Sequence, residues 1–244
     1  MSDAALARHL AMQAGRLLLD LRSAGNCTGK SLGDLGDREA NSLILAGLRE
    51  ERPADFVLSE ESRDDPRRCG GSRVWIVDPL DGTREYASGR DDWAVHVALA
   101  VDGRPFEGAV AVPARDRVYS TDLAMPVPVK RSTRPRLIVS RSRCPDLALH
   151  VAERIGADTL TMGSAGAKAM AVVDGDADIY LHEGGQYEWD NCAPAAVAMA
   201  AGLHASRVDG SPLIYNCADP LLPDLLICRR ELAASVLQTI ASLR

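Results

Sequence analysis

Four apolar residues, Val74 to Val77, run without a break into Asp78-Pro79-Leu80-Asp81-Gly82-Thr83, and no other junction constrains the chain as tightly. The apolar run reads as a buried strand. Pro79 has no N–H to give to a sheet, so the strand is expected to stop at Asp78 and turn, leaving Asp78 and Asp81 together at its carboxyl end. Gly82 lets the backbone come close to whatever sits there. Two carboxylates on one turn repel each other unless a cation neutralises them, and all-oxygen surroundings suit magnesium, calcium or manganese rather than zinc. A capped, solvated aspartate turn uses the same residues, so the pair needs support from elsewhere in the chain.

The rest of the pattern predicts an α/β layered fold. A helix is expected over 3–22, closing at Gly25-Asn26, and a second from near Asp37 through DREANSLILAGLREE to just before Pro53. Strands follow at 56–59, 74–77, 94–101, 108–113 and 117–120. The proline-rich, basic tract PVPVKRSTRPR (126–136) then marks a boundary between two subdomains, 1–132 and 133–244. Beyond it the pattern gives a strand at 137–140, a helix at 145–155 and a strand at 158–162. A helix opening at GSAGAKAM, a strand at 177–182, a helix from Asp190 to Ala201, and a final strand and helix near 225–241 complete the alternation.

Further acids stand at the ends of apolar elements. Glu60 and Glu61 follow the strand FVLS, and Asp190 opens a helix; taken singly, a solvated loop and an N-cap explain them. Together with Asp78 and Asp81 they could meet in one crevice at the strand ends as a polynuclear magnesium site. Gly163 and Ser164 open a helix whose free N–H groups and dipole suit a phosphate, with Lys168 adding a charge, although a helix start packed through small residues fits as well. Arg84 either reaches a second phosphate or is a surface arginine. His96 reads as a satisfied sheet histidine. His182 and Tyr187, flanking a glycine-rich loop, either contact a base or fill the loop, and Glu188 is a candidate for sugar hydroxyls.

Composition narrows the function classes. A net charge of −6 speaks against a non-specific nucleic-acid binder. No run of about 18 apolar residues exists to cross a bilayer. The N-terminal segment, broken by Arg8, His9 and Arg16, reads as an amphipathic helix rather than a signal peptide, which fits the cytoplasm. Six scattered cysteines without a CxxC pair read as reduced thiols.

Glu60-Glu61-Ser62, WIVDPLDGT (75–83) and EWDNCAPAAVAMAAG (188–202) together resemble the inositol monophosphatase family of metal-dependent, lithium-inhibited phosphatases. The likeness spans roughly residues 5–240. GTREY, DDWAVHVALA, GSAGAKAM and DGSPLIYN are similar to its CysQ-type branch of 3′(2′),5′-bisphosphate nucleotidases. That resemblance implies an αβαβα five-layered sandwich and hydrolysis of 3′-phosphoadenosine 5′-phosphate to AMP and phosphate in sulfate assimilation. Inositol phosphate or fructose 1,6-bisphosphate is the alternative substrate, and a catalytically silent nucleotide-binding protein is the alternative class. The resemblance makes Glu60, Asp78 and the Leu80 carbonyl ligands of one metal and Asp78, Asp81 and Asp190 ligands of a second, with a third, weaker ion sharing Glu60. The expected ions are two or three Mg2+, with Mn2+ able to substitute and Li+ inhibitory. It assigns Asp37 and Thr83 to orienting the attacking water, and Gly82, Thr83, Arg84, Gly163, Ser164, Lys168 and Glu188 to the substrate. Where many relatives read VTxAD before the water-orienting acid, this chain reads LGDLGD, so Asp34 competes with Asp37; the REAN that follows favours Asp37. The implied partner is a small molecule, without nucleic acid or membrane, and the family often forms homodimers.

Overall fold

Val74 to Val77 are apolar without alternation because both faces of their strand are covered. The structure, a computed structural model, describes residues 1–123 and 133–244. The run lies in a five-stranded sheet ordered β1 (Phe56–Ser59), β2 (Arg73–Asp81), β3 (Ala94–Val101), β4 (Arg104–Val112) and β5 (Arg117–Ser120), in which β1 and β2 are parallel and the other pairs antiparallel. Side chains alternate across a strand. Trp75 and Val77 therefore meet helices α1 (Asp3–Ala24) and α2 (Gly29–Glu51), through Leu6, Leu10, Leu18, Ile44 and Leu48. Val74 and Ile76 face the other way, into a core shared with α5 (Ala165–Val173) and α6 (Glu188–Ala200).

A second five-stranded sheet covers the far side of α5 and α6. Its order is β7 (Asp158–Met162), β6 (Arg136–Ser140), β8 (Ile179–Tyr187), β10 (Leu221–Cys228) and β9 (His204–Ser206). Its outer face, with Leu137, Val139, Leu181 and Leu226, packs on α4 (Asp146–Ile155) and α7 (Arg230–Leu243). The layers run αβαβα, the five-layered α/β sandwich that the resemblance implies.

Several expectations are corrected. α2 begins at Gly29 rather than near Asp37. Its glycines are close contact points: a Cβ on Gly36 would lie 2.9 Å from Leu18 and 3.1 Å from Leu80 and Tyr86, and one on Gly33 would lie 2.7 Å from Thr83. Asp37 thus sits inside the helix. β2 does not stop at Asp78. It continues to Asp81 through a bulge, since Asp78 pairs with His96 and Asp81 with Ala94, and Pro79 occupies the unpaired position where its missing N–H costs nothing. The stretch expected as a glycine-rich loop before Asp190 is the end of β8, paired with β10 as far as Tyr187. Gly184 and Gly185, at φ 73° and 68°, supply left-handed backbone in that strand. β8 then passes directly into α6, which starts at Glu188, two residues early. A five-residue helix, α3 (Thr83–Ala87), and β9 have no counterpart in the sequence reading. Residues 126–132 of the expected subdomain boundary lie outside the described residues.

Candidate active site

The bulge in β2 brings Asp78 and Asp81 to a point where α6 delivers Asp190. One carboxylate oxygen from each lies within 4.8 Å of the others. Asp78 is buried, and its Oδ1 accepts the Leu80 N–H at 3.0 Å. Asp190 occupies the third position of α6, and its Oδ2 accepts the Tyr187 N–H at 2.6 Å, closing a capping box. Asp81 caps α5: Gly166 N–H donates to it at 2.7 Å, Ala165 N–H at 3.2 Å, and the Ser164 hydroxyl donates as well. Glu60 enters from the loop after β1 at the exposed rim, with its carboxyl turned in against Asp78 and Asp190.

Burial and mutual repulsion set the charges. Asp78 is held well above the ordinary carboxylate range by burial, then by Glu60, Asp81 and Asp190. Burial followed by Asp81 pushes Asp190 to about 6. Burial followed by Asp190 pushes Glu60 to about 7. Asp81 is the exception: burial works to raise it, but His96, Lys168 and Ser164 outweigh burial and bring it to about 2. The fold therefore gathers carboxylates whose ionised forms lack an internal counter-charge. An all-oxygen donor set in that condition fits a hard cation such as magnesium or manganese.

Asp37, buried inside α2, faces Thr83 at the start of α3, with Thr83 Oγ1 3.4 Å from Asp37 Oδ1 and 3.2 Å from the Leu80 carbonyl oxygen. Burial, then Glu61 and Glu60, raises Asp37 to about 7. Asp34 points elsewhere and binds Lys30 at 2.6 Å on the surface.

The acidic cluster forms the floor of a cavity of about 560 Å³. Gly82, Thr83, Arg84, Gly163, Ser164 and Lys168 line it, and among the lining residues that sequence reasoning did not assign are Ser140, Ser142, Arg143, Gln186 and the acidic Glu85. Ser140 ends β6, so the strand-end rule offered a signal for this group. Lys168 is buried, and its Nζ donates to the Ser164 carbonyl at 2.7 Å and to that of Gly163. Burial lowers it to about 8 against the pull of Asp81 and Asp190. Arg84 and Arg143 have no carboxylate within ion-pair distance among the described residues. Their neighbour Arg141, by contrast, pairs with Glu85 at 2.5 Å and Asp92 at 3.1 Å.

Three sequence expectations come out differently, and the open choice at His182 and Tyr187 divides between them. The N–H groups at the start of α5 are not free for a phosphate, because Asp81 takes those of Ala165 and Gly166, Ser164 Oγ takes that of Ala167, and Asp92 takes that of Gly163. Glu188 is turned away from the cavity, fully buried, and accepts the Asn216 and Cys217 N–H groups at 2.7 Å each. Tyr187 lies outside the cavity lining and stacks on Trp189 with centroids 4.8 Å apart, whereas His182 lines the cavity and burial lowers it to about 4. His96 does more than fill the sheet: its Nδ1 is 3.0 Å from the Trp189 carbonyl oxygen and its Nε2 3.2 Å from Asp81. A Cβ on Gly166 would lie 2.1 Å from that Nε2. Gly166→Ala is therefore expected to cost about 1–3 kcal/mol of overpacking. Thermal melting checks this, and an unchanged melt would show that His96 has room to step aside.

A five-layered sandwich with a carboxylate cluster at strand ends, below a wall carrying Arg84, Arg143 and Lys168, has the build of a hydrolase acting on phosphate esters. The chain belongs to the inositol monophosphatase family, whose model matches residues 4–243, and is a phosphoric monoester hydrolase. It is 52% identical to the 3′-phosphoadenosine 5′-phosphate phosphatase of Mycobacterium leprae (strain TN), over 98% of this chain and 94% of that one. It is 32% identical to the 3′(2′),5′-bisphosphate nucleotidase CysQ of Escherichia coli (strain K12), over 76% of this chain and 80% of that one. The solved structure of CysQ from Bacteroides thetaiotaomicron matches with a TM-score of 0.80 at 27% identity, over 93% of this chain and 97% of that one. No helix among the described residues is long and apolar enough to cross a membrane, and all six cysteines are free.

Proposed function

We propose that this protein is a magnesium-dependent phosphatase that removes the 3′-phosphate of 3′-phosphoadenosine 5′-phosphate, yielding AMP and phosphate. The observation that carries the reading is a single cavity whose floor is acidic and whose wall holds Arg84 and Arg143 without carboxylate partners among the described residues, with the buried Lys168 ammonium beside them. Such a site suits cations below and two phosphates above, and the relatives named for this activity support it. In this reading Glu60, Asp78 and the Leu80 carbonyl hold one ion, Asp78, Asp81 and Asp190 a second, and Glu60 shares in a weaker third. Bound there, the ions lower the pKa of the attacking water and relieve charge on the leaving oxygen. Thr83 donates its hydroxyl proton toward Asp37 Oδ1, which leaves an Oγ1 lone pair to accept a hydrogen bond from the water and aim it. Gly82 keeps the backbone at the start of α3 low enough for the phosphate to approach, Gly163 and Ser164 shape the opposite wall, and Arg84 and Arg143 hold the second phosphate.

The finer expectations belong to the same reading: manganese substitutes, lithium inhibits, the enzyme works in the cytoplasm in sulfate assimilation, and it forms a homodimer. Residues 1–132 supply Asp37, Glu60, Asp78, Asp81 and Thr83, and residues 133–244 complete the site with Ser164, Lys168 and Asp190. The test is phosphate release from 3′-phosphoadenosine 5′-phosphate, inositol 1-phosphate and fructose 1,6-bisphosphate in parallel, with magnesium, with chelator and with lithium added. A preference of about tenfold or more in kcat/KM for the nucleotide, about 1.4 kcal/mol at the transition state, is expected. If inositol 1-phosphate, which has no second phosphate, is preferred, the roles given to Arg84 and Arg143 are wrong; if fructose 1,6-bisphosphate is preferred, the nucleotide reading is wrong.

A further inference from the structure

The two ends of the acidic cluster come from distant parts of the fold. Glu60 rides on the loop after β1, whereas Asp190 rides on the first turn of α6. A polar chain, buried at Arg68 and Glu188, joins the turn that follows the Glu60 loop to the start of α6. Arg68, with no exposed surface in the short helical turn that follows the Glu60 loop, donates to Asp64 from Nε at 2.6 Å and from Nη2 at 2.9 Å. Its Nη1 donates to Asn216 Oδ1 at 2.9 Å. Asn216 returns the link by donating from Nδ2 to the carbonyls of Arg68 at 2.8 Å and Gly71 at 3.3 Å. The backbone amides of Asn216 and Cys217 then converge on the two carboxylate oxygens of Glu188, the residue that opens α6 two positions before Asp190.

We propose that Arg68, Asn216 and Glu188 form a positioning clamp that fixes the start of α6 relative to the Glu60 loop, and so sets the spacing between Glu60 and Asp190; this rests on the metal-site reading given above. Two features single this chain out from ordinary packing. Asn216 is a non-glycine residue at φ 62°, a left-handed conformation held where its amide can reach both sides. Glu188 and Arg68 are both fully buried, so the two charged ends of the chain are shielded from water while Asn216 bridges them half-buried. Partners that orient a ligand from behind typically change metal affinity by about 10–100-fold when removed.

The test uses the full-length protein, freed of metal, titrated with Mn2+ alone and followed by the paramagnetic resonance of free ion. Asn216→Gly removes the carboxamide while tolerating the backbone angle, and Glu188→Gln perturbs the other end of the clamp isosterically. Each is expected to weaken Mn2+ binding about tenfold and raise the metal concentration for half-maximal activity in step, with kcat at saturating metal within about twofold of the parent. A weakening below about threefold in both variants overturns the proposal. So does melting of both below the assay temperature, since the chain would then be holding the fold rather than the site. Asp81→Asn is the control: if it binds Mn2+ as the parent does, it is the metal-site reading itself that fails.

Discussion

Asp78→Asn is expected to lower kcat/KM by about 10³-fold or more, an effect of about 4 kcal/mol, and to raise the melting temperature of the metal-free protein. Both effects have one cause. Asp78 is buried at the bulge with Glu60, Asp81 and Asp190 around it, and burial and these three charges hold its proton on well above the usual range. A bound cation reverses that balance, and in the proposed mechanism Asp78 is the carboxylate shared by two ions. Asparagine keeps an oxygen to accept the Leu80 N–H, so the bulge retains its internal hydrogen bond. It offers N–H groups to the neighbouring carboxylates and cannot ionise, so the metal-free cluster no longer bears the cost of charging a fourth carboxylate as pH rises. A gain of about 1 kcal/mol corresponds to about 2–4 °C for a chain of this size. Steady-state phosphate release and melting in chelator check the two halves. Activity within tenfold of the parent would remove Asp78 from the metal site; a lower melting temperature in chelator would show that the carboxylates do not oppose the fold.

What could be read from sequence divides by whether a neighbour in the chain or a neighbour in space decides the outcome. The layered fold was legible because the apolar runs and their spacing are local, and VWIV signals a strand wherever it packs. The start of α2 at Gly29 was not legible in that way: glycine lowers helix propensity, and only Thr83 and Leu18 pressing against Gly33 and Gly36 explain why the helix runs through them. The α5 start looked open for an anion, yet its amides are satisfied by Asp81, a residue more than eighty positions earlier. Glu188 is the instructive case. On a helix, residues two apart point about 200° from each other, so once α6 is known to begin at Glu188, that side chain cannot share the cavity with Asp190. The chemistry was present in the sequence, but its direction depended on where the helix begins. Arg143 and Ser140 were missed for a different reason, since they owe their place in the wall to the parallel pairing of β6 with β8.

In the absence of metal, the protein is expected to lose stability as pH rises from about 4 to about 7, and saturating magnesium is expected to abolish that loss. A carboxyl whose folded pKa lies above its unfolded value binds more protons in the folded state, so its contribution to stability is full below the unfolded value and disappears as pH climbs through the folded one. Asp190 moves from 3.8 to about 6 and Glu60 from 4.5 to about 7, while Asp78 moves further in the same direction. At about 1.4 kcal/mol for each tenfold change in proton affinity, Asp190 alone accounts for a loss on the order of 3 kcal/mol. That is a fall of at least about 5 °C in melting temperature. Asp37, raised to about 7, adds to the loss, whereas His182, lowered to about 4, works the other way over the same range and offsets part of it, so a net fall remains. Asp81 does not offset the loss, because its lowered value, about 2, confines its effect to the region below pH 4. Lys168, lowered to about 8, acts only at higher pH. Magnesium binds the ionised cluster of the folded state alone, and at a hundred times its dissociation constant it contributes about 2.7 kcal/mol, comparable to the loss it has to cancel. Melting curves at pH 5, 6 and 7.5, with chelator and with magnesium, separate the possibilities. A metal-free melting temperature that stays flat or rises across this range would mean that the cluster is charged at no expense to the fold, and the cation would then have no electrostatic role in holding the site together.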